Sequence, residues 1–235
     1  MILSVHQPQY IPWLGYVHKI AKSDCFVFLD RVQYKGREFQ NRNKIRTKEG
    51  WIWLSVPVLC KGRCRQSIFD VLIDNGFPWA RKHLMSLKSW YARAEFFDAH
   101  FPFFEQVYAQ SWEKLKDLNM HIINYILKQL AIATPLYLES ELDIRQKKSE
   151  RIIEICQRLK VDTYLSGIGA KTYLEEEKFV KAGIRLIYQD FAHSVYRQQF
   201  CLDDEDFIPY MSVLDLLFNE GPKSREILLG GQMKT

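Results

Sequence analysis

ILSVHQPQYIPWLGYVHKIAKSDCFVFLD, residues 2–30, is the stretch that decides the fold. It opens on a short, mostly apolar run, 2–5, whose β-branched Ile2 and Val5 predict a buried strand. A proline-rich turn follows, with Pro8 and Pro12 each fixing φ near −65°. Residues 15–22 have helical character, and CFVFLD at 25–30 is apolar until Asp30, a second strand. Strand, loop, short helix and strand within one such stretch is the pattern of a βαβ unit, whose strands run parallel.

Working outward, a tract rich in basic and amide residues, 33–48, leads into WIWLSVPV at 51–58, a further predicted strand. Residues 80–130 read as helical. Trp112, Leu115, Leu118, Ile122, Ile126 and Leu130 recur every three or four positions and give one apolar stripe, the mark of core packing. Pro135 ends that region, and LYL at 136–138 is a short extended piece. A second α/β unit follows. Ile152, Ile155, Cys156 and Leu159 mark a helix over 147–160, DTYLSG at 162–167 runs as a strand into a glycine turn, 173–182 is a helix stopped by Gly183, and IRLIY at 184–188 is the next strand. The sequence therefore predicts an α/β fold, a Rossmann-like parallel sheet flanked by helices with a helical insertion over 80–130, as one domain spanning 1–235.

Composition narrows the class. Hydrophobic residues at 47% and charged ones at 26% are those of a packed globule, which excludes a disordered chain. No apolar run approaches the roughly 20 residues that a membrane span needs. MILSVHQPQY lacks the basic start, long apolar core and small-residue cleavage site of a signal peptide. Five scattered cysteines do not suggest a disulfide framework, and a reducing cytoplasm is the expected location. Cys60 and Cys64 form a Cys-x3-Cys pair with no second pair at zinc-finger spacing, so no metal site is predicted. A formal charge of +5 suits an anionic partner such as a nucleotide, a sugar nucleotide or RNA, and equally an ordinary solvated surface.

In open parallel sheets ligands bind beyond the carboxyl ends of the strands. Three loops meet that description. The first, 6–16, carries His6, Gln7, Gln9 and Tyr10 and enters a helix at Gly15, where free N–H groups favour an anion. His6 is the candidate acid, base or phosphate donor, against the plainer reading of a histidine that only bonds its own turn. Lys19, about a turn into the helix, is a candidate phosphate partner. The second loop, 30–43, begins at Asp30 and sets Lys35, Arg37 and Arg42 among Gln33, Tyr34, Gln40, Asn41 and Asn43, a set suited to an anionic, polyhydroxylated ligand. Its plainer reading is a solvated basic hairpin. The third, 166–171, holds Ser166, Gly167, Gly169 and Lys171, its glycines allowing close backbone approach, although neither a Walker loop nor a full dinucleotide fingerprint is present. Asp190 and His193 follow the next strand and are placed at the same edge.

HQPQYIPWLGYVHKI, FVFLDRVQYKGREFQNRNKI with the later WLSVPV, KSERIIEIC with DTYLSGIGAKTYL, and YQDF with SVLDLLFNEG resemble, in order, the WbqC-like family of bacterial O-antigen and other surface-polysaccharide gene clusters. That resemblance covers almost the whole chain. It implies a transferase of lipopolysaccharide decoration, a glycine transferase role having been proposed for a member of the family. The opening strand, His-x-Pro step, Gly-aromatic helix and strand ending in Asp30, Gln33 and Tyr34 are also similar to the HIGH-type nucleotidyltransferases, which include pantothenate-synthetase-like ligases. In those the loop histidines touch ATP; here the Gly-His step reads Gly15-Tyr16 and the spacing is stretched. Together the resemblances imply an acyl or aminoacyl transferase or ligase acting on a nucleotide-linked sugar, with ATP or an activated amino acid or acyl donor as co-reactant. A nucleic-acid binder using the basic tract with Tyr34 and Phe39, and a non-catalytic scaffold, are the alternatives.

Overall fold

The computed structural model describes residues 1–63 and 65–230. Strand β1 (Ile2–His6), helix α1 (Leu14–Ala21) and strand β2 (Cys25–Phe28) form the expected parallel βαβ unit, paired from Leu3 with Cys25 to His6 with Phe28. An antiparallel hairpin follows, β3 (Arg42–Thr47) and β4 (Gly50–Ser55). Three helices come next: α2 (Trp79–Tyr91), α3 (Phe97–Ala109) and α4 (Leu115–Gln129). The chain then returns to the main sheet through β5 (Leu136–Leu138), α5 (Lys148–Arg158), β6 (Thr163–Ser166), α6 (Glu176–Lys181) and β7 (Arg185–Tyr188), and ends in α7 (Val213–Glu220) and α8 (Ser224–Gly230). The main sheet has five parallel strands in the order β5-β2-β1-β6-β7, flanked by helices, so the fold is α/β as predicted.

Period-two alternation divides the interior. Leu3, Val5, Cys25 and Val27 face one core with Ile155 and Cys156 of α5 and Phe179 of α6. Phe26 and Phe28 face the other, shared with α1 and the helices of the insertion. The α4 stripe of Leu115, Leu118, Ile122 and Ile126 is fully buried there, as its spacing requires. Ser4 takes the α1 side of β1, where its hydroxyl accepts from Ser23 at 2.7 Å. His6, two residues on, shares that face and is thereby directed toward α1.

Two expected elements differ in the structure. Residues 42–47, expected within a loop and tract, are a strand. Asn43, Ile45 and Thr47 bury the alternating face, and the polar identity of two of them hides the strand pattern. The helix expected over 173–182 is only Glu176–Lys181, preceded by a single turn at Ile168–Thr172. Leu174 turns inward between them, and the Glu175 amide donates to Ser149 Oγ at 3.1 Å, tying the chain to α5 before α6 starts. Gly183, at φ +69°, terminates α6 in the left-handed conformation.

Candidate functional site

The chain moves outward from β1 to β2 and β5, then crosses back to lay β6 on the other side of β1. The carboxyl ends of β1 and β6 therefore flank the switch point, where open α/β sheets leave a crevice. A cavity of about 770 Å³ lies there, in the size range of small-molecule sites. It gathers His6, Gln7, Gly15 and Lys19 from the first loop and helix, and Ser166, Gly167 and Gly169 from the third. Sequence reasoning missed its aromatic walls, Trp13, Tyr16, Tyr164, Tyr173, Phe191 and Tyr210, and the two cations of α5, Lys148 and Arg151. In the sequence KSER reads only as part of a helix and of the family resemblance, and, apart from Asp190 and His193, the 189–210 tail carries no local periodicity that points to a site.

Lys19 is the distinctive group. It is only 4% exposed, and its ammonium donates to the Val5 carbonyl at 3.2 Å. No carboxylate among the described residues comes within ion-pair distance, and burial alone pulls its pKa from 10.5 to about 7. His6 is half-buried beside it, its ring edge-on to Tyr16 with centroids 5.1 Å apart. Burial first, and the nearby Lys19 charge second, lower its pKa to about 3, so the imidazole is neutral at physiological pH. Nδ1 lies 3.3 Å from the Gln7 carbonyl, which can only accept, so Nδ1 carries the proton and Nε2 keeps its lone pair.

The glycines have separate reasons. A methyl group on Gly15 would meet the Trp13 ring at 2.1 Å, so this glycine lets the indole lie across the start of α1 as a cavity wall. Gln189 donates to the Gly15 carbonyl at 2.8 Å and fixes that edge. Gly167 and Gly169 face open space and leave the floor of the cavity clear. Lys171 is exposed and outside the lining, its ammonium 5.7 Å from the Tyr188 ring centroid.

The remaining candidates lie away from the cavity, because β2 stands outside β1 and the tract after it folds against the helical insertion. Asp30 is fully buried and accepts from the Ser140 amide at 3.0 Å and hydroxyl at 2.6 Å, joining the end of β2 to the residues after β5. Tyr10 is buried in a hydrogen-bonded group with His83 and Tyr108. Gln9 is 5% exposed and also interior. Gln40 accepts from the Lys35 amide at 3.1 Å, and Asn41 donates to the Val56 carbonyl at 2.9 Å. Asn43 donates to the Ile11 carbonyl at 2.8 Å while accepting from the Lys44 amide at 2.8 Å. The Arg42 guanidinium lies 4.1 Å from the Trp53 ring centroid. Tyr34 is buried, and Lys35 and Gln33 are exposed, Gln33 in an isolated β-bridge with Ser67. His193 is buried, receiving the Tyr210 amide at 3.2 Å, and Asp190 borders a separate hollow of about 520 Å³ with His18 and Lys22.

Cys60 is exposed and Cys64 lies outside the described residues. Among the described residues, no group of three or more His, Cys, Asp or Glu side chains is arranged to hold a metal ion, and no helix is long and apolar enough to cross a membrane.

Comparison with known proteins gives one family. The model of the WbqC-like protein family matches residues 7–227, nearly the whole chain, and the chain belongs to that family. It is 35% identical over 228 residues to the uncharacterized protein Rv1507c of Mycobacterium tuberculosis, an alignment covering 96% of each chain. No solved structure matches it.

Proposed function

We propose that this WbqC-like family member is a group-transfer enzyme. It would bind an anionic small molecule in the switch-point cavity and move an acyl or aminoacyl group, such as glycine, onto a nucleotide-linked sugar. The observation that carries this reading is Lys19, a buried cavity-lining cation with no carboxylate partner among the described residues. A charge withdrawn from water is ordinarily paired. Here the natural partner is the phosphate or carboxylate of a ligand.

The neighbouring groups suit such a transfer. An acceptor hydroxyl or amine attacks the activated acyl carbonyl, and the bond to the leaving group breaks. His6 Nε2 takes the acceptor's proton and returns it to the leaving group. Burial is the larger cause of the low His6 pKa and the Lys19 charge the second; an anion against Lys19 offsets that second part, so the imidazole becomes a better base when substrate is bound. The aromatic walls suit a ring-bearing substrate, and the basic tract gives little support to a nucleic-acid reading, since its amides are bonded within the fold and Arg42 lies over the Trp53 ring.

A thermal-shift screen against sugar nucleotides, ATP and amino acids tests the reading, because a ligand that binds the native state raises Tm. At least one anionic ligand should raise the Tm of the wild type and fail to do so in Lys19→Met. A wild type that responds to none of these classes, or equal shifts in the two proteins, defeats the proposal.

A further inference from the structure

We propose that Arg31, Lys114 and Lys116 form a phosphate-binding site around Phe69, separate from the cavity. Phe69 lies in the single turn Ile68–Asp70, and its amide donates to the Asp30 carbonyl at 2.8 Å. Its ring centroid is 4.5 Å from the Arg31 guanidinium carbon, 4.4 Å from the Lys114 ammonium and 4.7 Å from the Lys116 ammonium. No two of these cationic centres can therefore be more than about 9 Å apart. One aromatic face attracts a cation, but it cannot cancel three charges.

The backbone fixes this convergence. Leu72 bridges Lys114, and the Leu115 amide donates to the Val71 carbonyl at 3.0 Å. Nearby carboxylates are largely committed elsewhere. Asp30 is held twice by Ser140, Glu139 pairs with Arg151 at 3.2 Å, and Asp70 accepts from Ser67 at 2.6 Å. Among the described residues, Asp117 is the only carboxylate within ion-pair distance of the three cations, 3.4 Å from Lys116, and its side chain is 52% exposed; Glu139, already paired with Arg151, also feels the Arg31 charge. The Lys116 side chain is just 13% exposed, so its charge is poorly relieved by water. Both lysines also sit at the start of α4, where the helix dipole favours carboxylates and adds to the positive field.

A planar guanidinium and two ammonium groups, all within 4.7 Å of one ring centroid, match a tetrahedral oxyanion with several acceptor atoms. Leu29 and Val32, on either side of Arg31, line the cavity, so the site stands at its rim. The phosphate is then either free or the terminal group of a ligand reaching out of the cavity. This inference does not depend on the cavity's being catalytic.

The test is calorimetric titration of inorganic phosphate, pyrophosphate and a nucleoside diphosphate into the wild type, K114Q/K116Q and K19M. Pyrophosphate should bind the double variant about tenfold or more weakly and K19M about as tightly as the wild type. If the site serves a cavity ligand, the nucleoside diphosphate weakens in both variants; if it takes free phosphate, the inorganic ions alone follow the double variant. Arg31→Gln, on a separate loop, should reproduce the loss and covers any misfolding of the lysine variant. Pyrophosphate binding that is absent in the wild type, unchanged in K114Q/K116Q and R31Q, or abolished in K19M overturns the site.

Discussion

The loop 6–19 and the tract 33–46 are both dense in amides and cations, and they use them in opposite ways. In the tract, Gln40, Asn41 and Asn43 bond to backbone groups of their own surroundings, while Arg42 and Lys44 lie over Trp53 and Trp51. In the first loop and helix, Lys19 has one carbonyl partner, and His6 keeps a free lone pair beside a cavity. The difference comes from position in the sheet. His6 follows β1 at the switch point, whereas the tract follows β2, one strand out, and folds into a hairpin packed near the helical insertion. A polar group marks a site when its bonding capacity is left over at the crevice, and a high density of polar groups does not supply that by itself.

The sharpest way to break the contrast is Lys19→Met. A charge-assisted contact is worth about 1.5–3 kcal/mol, so anionic ligands of the cavity should bind some 10–100-fold more weakly. Removing an unpaired buried cation should at the same time raise the stability of the unliganded protein by about 1–2 kcal/mol. Titration calorimetry and urea unfolding read the two effects separately. A lysine that merely supports the fold would give lower stability instead.

Asn43→Ala tests the opposite region. Its side chain is fully buried, and its loss leaves the Ile11 carbonyl and the Lys44 amide without their partner. The expected cost is about 1–3 kcal/mol in denaturant unfolding, with ligand affinity unchanged. A selective loss of affinity would move the recognition surface into the hairpin.

The pH dependence sharpens the comparison further. The Lys19 pKa is lowered in the native state, so between pH 7 and 10.5 the unfolded chain holds a proton that the native chain has released. Its contribution to stability therefore grows as pH rises through this window. Anion affinity runs the other way, falling up to about tenfold per pH unit above 7 as the ammonium is lost. His6 stays neutral over the same range and adds no slope. Titrations at pH 6.5 and 8.5 should show this fall in the wild type and none in Lys19→Met.

Much of this arrangement was legible in the chain. The runs at 2–5 and 25–28 are apolar and short, and the α4 stripe repeats at helical spacing, so strands, parallel pairing and insertion could be read directly. His6 and Gly167 stood out because they end or follow strands, and Lys19 because it lies about a turn into the helix after the first loop. Strand β3 was hidden, since Asn43 and Thr47 on its buried face are polar, Asn43 being held there by its bond to the Ile11 carbonyl rather than by hydrophobicity. The walls from Trp13, Phe191 and Tyr210 were hidden for another reason: they meet only through long-range packing, Trp13 lying 5.6 Å from Phe191 and 5.8 Å from Tyr210 between ring centroids.

The smallest effect is expected from Arg42→Gln, and it decides how the hairpin's charge should be read. Its guanidinium stacks 4.1 Å from the Trp53 centroid, a contact worth about 0.5–1 kcal/mol at a half-exposed site. For a chain of this length that corresponds to a Tm lower by about 1–4 °C. If the cation is spent on Trp53, calorimetry should detect this shift while affinities for sugar nucleotide and RNA stay at the wild-type level. If the tract instead carries a polyanion, the Tm should hardly move, and the salt slope of RNA binding should fall by about one ion. The two readings thus predict changes in different observables from one substitution, so a single variant separates an internal cation from a recognising one.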